Sequence, residues 1–177
     1  MSRVFISFVH EDRSIAETVK RILEQQLNLV GHVFIVTDQQ QLRAGDDWQQ
    51  RIREELTSAE IVLLMISKRA ITMPWVNFEA GAAWLSNKRL ISACFGNQRK
   101  GNLPKPYSNW QAVQLPDDEE YLLDSIANWL KIERPGGRFL ERLQKVLEPE
   151  RKKDGIDMLL DMMVDLRLAL KNWRDEP

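Results

Sequence analysis

Along the chain, short runs of continuous hydrophobicity alternate with longer stretches in which apolar residues recur every three or four positions. The continuous runs lie at 4–8 (Val4, Phe5, Ile6, Ser7, Phe8), 33–37, 61–66 and 90–95, with a weaker fifth at 112–115. Uninterrupted apolar character, rather than strict alternation, suits strands covered on both faces, as in a parallel sheet. The stretches between them have helical spacing. Ile15, Val19, Ile22, Leu23 and Leu27 form one stripe, with Ser14 and Glu17 as a candidate capping box. Trp48, Ile52 and Leu56 form a second, behind Asp46 and Asp47 as candidate N-caps. Trp75, Phe78, Ala82 and Leu85 predict a third helix, and Leu122, Ile126, Trp129 and Leu130 a fourth, opened by Asp117 or Asp118. Strands alternating with helices predict an α/β fold with right-handed crossovers.

The stretch 97–106 is polar and punctuated by Pro104 and Pro106, which reads as a loop. The break at Arg134-Pro135-Gly136-Gly137 closes the α/β unit, giving a domain over 1–134 and a helical extension over 138–177. In that extension Ile156, Leu159, Leu160, Met163, Leu166, Leu170 and Trp173 form an apolar stripe that needs a partner, either its own domain or a second chain.

The 177 residues carry 25 Lys plus Arg against 26 Asp plus Glu, a net charge of −1. That balance offers no general attraction to nucleic acid or to an anionic membrane, and neither is expected as a partner. No apolar run approaches the roughly 20 residues that span a bilayer, and no secretory leader pattern is visible, so a cytoplasmic location is expected. The single cysteine, Cys94, excludes an internal disulfide and a cysteine-built zinc site; within an apolar run it reads as a small core hydrophobe. With only His10 and His32, no metal site is expected, and His32 reads as a loop residue. Neither a Gly-x-Gly-x-x-Gly turn nor a Gly-Lys-Ser/Thr phosphate loop is present, so no bound cofactor is expected. Chemistry, if any, falls to carboxylates. In an open α/β sheet ligands bind beyond the carboxyl ends of the strands, which selects 10–13, 38–47, 67–79 and 95–110. There Glu79 stands one helical turn after Trp75, so the two share a helix face.

These segments together resemble the Toll/interleukin-1 receptor (TIR) domain family. The run 4–8 followed by His10-Glu11-Asp12-Arg13 is similar to the family's opening box. The run 33–38 followed by Leu42-Arg43-Ala44-Gly45-Asp46-Asp47-Trp48 is similar to its second strand and BB loop, and 58–67 to its third strand. Pro74-Trp75-Val76-Asn77-Phe78-Glu79 is similar to its Trp-x-x-x-Glu region, in a form associated with bacterial members. The resemblance covers residues 3 to 130. It implies a flavodoxin-like parallel sheet of five strands in the order 2-1-3-4-5. It implies an enzyme that cleaves the nicotinamide–ribose bond of NAD, with NAD as substrate rather than cofactor and Glu79 as catalytic residue. It also implies self-assembly with other TIR domains, a possible sensor domain or partner chain, and a role in immune or antiphage defence. By position, Phe8 falls near the nucleotide, or is strand-end core. Val9 and His10 fall where some members carry phosphate-facing arginines. Asp38, Leu42 and Gly45 match pocket-lining loop positions, and Trp75 either walls the pocket or packs in the core. The rival readings are a non-catalytic TIR adaptor and a nucleoside deoxyribosyltransferase, which shares the fold and a glutamate-centred chemistry.

Overall fold

The computed structural model describes residues 3–35 and 48–134, together with Leu147 and Met163; for Trp48 and Gln49 it describes the backbone alone. Five strands, β1 (Val4–Ser7), β2 (Val33–Ile35), β3 (Ile61–Ile66), β4 (Arg89–Cys94) and β5 (Gln111–Gln114), form one sheet in the order β2-β1-β3-β4-β5. Every pairing is parallel, with Val4 level with Val33 and Ile61, and Ile91 level with Leu63 and Gln111. The expected order and direction are therefore those observed.

Four helices cover the sheet: α1 (Arg13–Gln26), α2 (Trp48–Ser58), α3 (Pro74–Leu85) and α4 (Glu119–Leu130). Successive side chains along a strand point to opposite faces, and the core divides accordingly. Val4, Ile6, Leu63, Met65, Ile91 and Ala93 meet the buried stripes of α1 and α4. Phe5, Val62, Leu64, Ile66, Leu90 and Cys94 meet Ile52 and Leu56 of α2 and Val76, Ala80 and Ala83 of α3. Two-sided burial is why the strands read as continuous apolar runs. The β4–β5 crossover, in contrast, carries two short 3-10 turns, Lys100–Asn102 and Tyr107–Asn109, and no α-helix.

Three details depart from the expectations. The capping box does not form. Helix α1 starts at Arg13, one residue early for a Ser14 cap, and Glu17 instead accepts a hydrogen bond from Arg13 Nε at 2.8 Å. Asp118 occupies the N-cap position of α4 without capping it through its side chain. Its Oδ2 accepts from the Gln114 backbone N–H at 2.7 Å and from Lys100 Nζ at 2.6 Å.

The third departure is larger. On α3 the large residues that mark the helix in the sequence lie on the solvent face, with Phe78 64% and Leu85 80% exposed. The buried stripe is Val76, Glu79, Ala80 and Ala83, at i, i+3, i+4 and i+7. Val76, Ala80 and Ala83 pack against the sheet, and the bulky Trp75, Phe78 and Leu85 are left on the outer side.

The candidate N-caps Asp46 and Asp47 lie outside the described residues, as does the extension apart from two residues. Of these, Leu147 is 1% exposed and belongs to the core cluster of α1 and α4, whereas Met163 is 67% exposed. Among the described residues no helix is long and apolar enough to cross a membrane.

Candidate active site around Glu79

The buried stripe of α3 contains one residue that does not belong on an apolar face. Glu79 is 2% exposed, between Val76 and Ala83. A buried carboxylate requires partners, and it has one for each oxygen. Ser7 Oγ donates to Glu79 Oε2 at 2.5 Å, and Trp75 Nε1 donates to Oε1 at 2.7 Å. Ser7 is the last residue of β1 and Trp75 lies in the first turn of α3, so the carboxylate sits at the carboxyl end of the sheet. Burial raises Glu79 above the ordinary carboxylate value and the Ser7 and Trp75 hydrogen bonds oppose it, leaving the group at about 7. The group therefore changes charge near neutrality, where it can either offer a negative charge to a developing cation or exchange a proton.

The loops on either side are tied together. Asp12, fully buried after β1, accepts from Ser67 Oγ at 2.6 Å and pairs with Arg69 Nε at 3.4 Å, both after β3. Asn77 Nδ2 donates to the carbonyls of Ile71 and Met73 at 3.1 Å, fixing the entrance of α3 to the preceding turn. These bonds hold β1, the β3–α3 loop and the first turn of α3 in one frame around Glu79.

The remaining candidates are dispersed. Trp75 binds Glu79 through its indole N–H while its ring stays at the surface and stacks obliquely with Phe78, centroids 5.5 Å apart. Of its two expected placements, it is not core. Phe8 is half-buried against the α1–α4 cluster, and Val9 is buried in the α2–α3 cluster on the other face of the sheet. His10 is exposed at the start of a 3-10 turn. Asp38, Leu42 and Gly45 lie outside the described residues. Ser7, a direct partner of Glu79, was not singled out in the sequence; a hydroxyl ending an otherwise apolar strand was the available signal. Cys94 is fully buried and its thiol is pushed up to about 12 by burial. Among the described residues no three of His, Cys, Asp and Glu gather where they could hold a metal ion.

Residues 4–130 match the family described as TIR domain. No curated protein matches the chain in sequence. Among solved structures, a metazoan TIR-STING receptor from C. gigas, in complex with 2',3'-cGAMP, superposes with a TM-score of 0.53 at 21% identity. The superposition covers 73% of this chain and 39% of that receptor, and it supports the fold.

Proposed function

This chain belongs to the TIR domain family, and from that premise we propose that it is an NAD glycohydrolase with Glu79 as its catalytic carboxylate. The observation that carries the reading is Glu79 itself, an isolated buried acid held through both oxygens at the end of the sheet where α/β proteins bind ligands. The reaction needs only one carboxylate. When the bond between ribose C1′ and the nicotinamide nitrogen breaks, its electron pair returns to a pyridinium ring, which departs as neutral nicotinamide without protonation. Most glycosidases need a second carboxyl group to protonate their leaving oxygen; here none is required. The positive charge left on the ribose is offset by the anionic Glu79, held in place before the reaction by Ser7 and Trp75. Water then adds to C1′ and releases a proton, giving ADP-ribose. Capture by an adenine nitrogen instead gives a cyclic product.

The family context supports activation by self-assembly, with the 39–47 loop meeting a neighbouring subunit, and a role as an immune or antiphage effector. The exposed aromatic face of α3 favours a second reading, a non-catalytic TIR adaptor that docks other TIR domains through such surfaces.

Incubating concentrated protein with NAD and measuring nicotinamide separates the two. Turnover is expected to rise with protein concentration and to fall about 10²-fold or more in Glu79→Gln. The glutamine keeps the size of the side chain and offers an oxygen to Trp75 and an N–H to Ser7, so the fold is retained. No nicotinamide at any concentration favours the adaptor, and equal turnover by the variant removes Glu79 from the chemistry. A parallel arm with a deoxynucleoside detects free base if the protein is instead a deoxyribosyltransferase.

A further inference from the structure

The missing crossover helix between β4 and β5 leaves one flank of α3 uncovered. A groove of about 530 Å³ lies there, lined by Asn77, Ala80, Gly81 and Trp84 of α3, Lys88 and Leu90 at β4, and Pro106, Tyr107, Asn109 and Trp110 before β5. At 100° per residue Asn77, Gly81 and Trp84 lie about 140–160° around the helix from Glu79, while Ala80 belongs to the buried stripe between them.

Gly81 forms part of the lining. Glycine inside a helix is unfavourable relative to alanine, and it is normally retained for a turn or a close approach. Among the described residues neither applies. Gly81 has helical backbone, and a Cβ built on it would meet nothing within 4 Å. The missing side chain leaves open space directly over the helix backbone. Around that space the chemistry is specific. Trp84 is 63% exposed and presents its indole at the wall. Trp110, half-buried, forms the other side, with Tyr107 buried behind it and meeting it edge to face, centroids 5.6 Å apart. The Tyr107 hydroxyl donates to Asn77 Oδ1 at 2.5 Å, which fixes that side to α3. Lys88 places an ammonium at the rim; one of its protons goes to the Thr57 carbonyl, and two remain. Asn109 adds an amide able to donate and accept.

We propose that this groove is a second ligand site, distinct from the Glu79 site, that takes a planar heteroaromatic ring carrying an anionic group, of the size of a nucleoside monophosphate. The aromatic walls receive the ring by stacking, the open space over Gly81 admits its edge, and Lys88 meets the anion. The volume falls within the range of small-molecule sites, which combine apolar walls with a few polar groups.

AMP is the probe, followed through the indole N–H resonances of 15N-labelled protein. These are assigned by substituting each of the six tryptophans in turn. Saturable shifts are expected at Trp84 and Trp110. Gly81→Leu, which fills the groove and improves helix propensity, and Trp84→Ala, which truncates an exposed ring, are each expected to weaken AMP by about tenfold or more without lowering Tm. Lys88→Gln is expected to weaken AMP but not adenosine. The proposal is overturned if AMP gives no saturable shift up to about 10 mM, if the shifts fall on Trp75 alone, or if Gly81→Leu binds AMP as the wild type does. Equal affinity for adenosine and AMP in the wild type overturns the anion requirement. Because the readout is binding at named indoles, it is independent of whether NAD is cleaved.

Discussion

At the scale of single residues, Glu79 links stability to chemistry through one proton. Its folded value of about 7 stands above the ordinary 4.5. Between those pH values the folded protein holds a proton that the unfolded chain has released, so stability falls as pH rises from about 4.5 through about 7 and then levels off. The displacement corresponds to roughly 3 kcal/mol. Glu119 contributes in the same direction: burial first, and Glu120 beside it, push it up to about 7 against the pull of Arg134. Glu79→Gln should therefore remove only its own share. Its Tm is expected to exceed that of the wild type at pH 8 and to converge with it near pH 4.5; parallel curves would show that Glu79 is ionised throughout. If the anion is the catalytic form, log(kcat/KM) for NAD should rise with unit slope below about pH 7 and flatten above it. The contact between Trp75 and Glu79 was legible because a Trp-x-x-x-Glu spacing puts both side chains on one face. Ser7 was not, since nothing local distinguishes a strand-ending serine that meets a helix 72 residues later from one that meets water.

At the scale of elements, the strands were legible for a physical reason, which is that burial on both faces leaves no polar positions to blur the pattern. Helix α3 was legible as a helix but not in its orientation. Both of its faces carry apolar residues, so the periodicity marks a helix without saying which face is buried. Against the sheet lie Val76, Glu79 and the two alanines, Ala80 and Ala83, while the large side chains face out. Ala83→Leu, which inserts bulk at a fully buried position, should cost about 1–3 kcal/mol through overpacking. Leu85→Ser, at a position 80% exposed, should change stability by less than about 0.5 kcal/mol. Thermal melts of the two variants check this, and a large loss from Leu85→Ser would mean that its face is covered in solution. The capping box failed for a comparable reason: Ser14 and Glu17 have the right spacing, but Arg13 is nearer to Glu17 and claims it.

At the scale of the whole molecule, the family match ends at residue 130 while the core does not. Leu147 is buried with α1 and α4, so the TIR unit draws at least one core side chain from beyond the Gly136-Gly137 break. Burying a leucine contributes about 1.5–3 kcal/mol. A chain ending at Gly137 should lose at least that much, seen as a Tm lower by several degrees. An unchanged Tm would make the extension an appendage to an independently stable domain. Met163 places a mostly exposed residue on the long apolar stripe of the same extension. If that stripe associates with another chain, truncation should also reduce apparent mass in light scattering.

Cys94, the only thiol in the chain, lies at the centre of this architecture. It is held between Ile66 on β3 and Gln114 on β5, with no accessible surface and a thiol that stays protonated far above neutrality. An alkylating reagent needs a thiolate it can reach, and this one is reachable only when the layer of α2 and α3 lifts from the sheet or the sheet itself opens. The protein thus carries a built-in clock for its own opening. The rate at which a maleimide or a disulfide reagent consumes Cys94 measures how often this side of the core opens, with no label to introduce and no second cysteine to confuse the count.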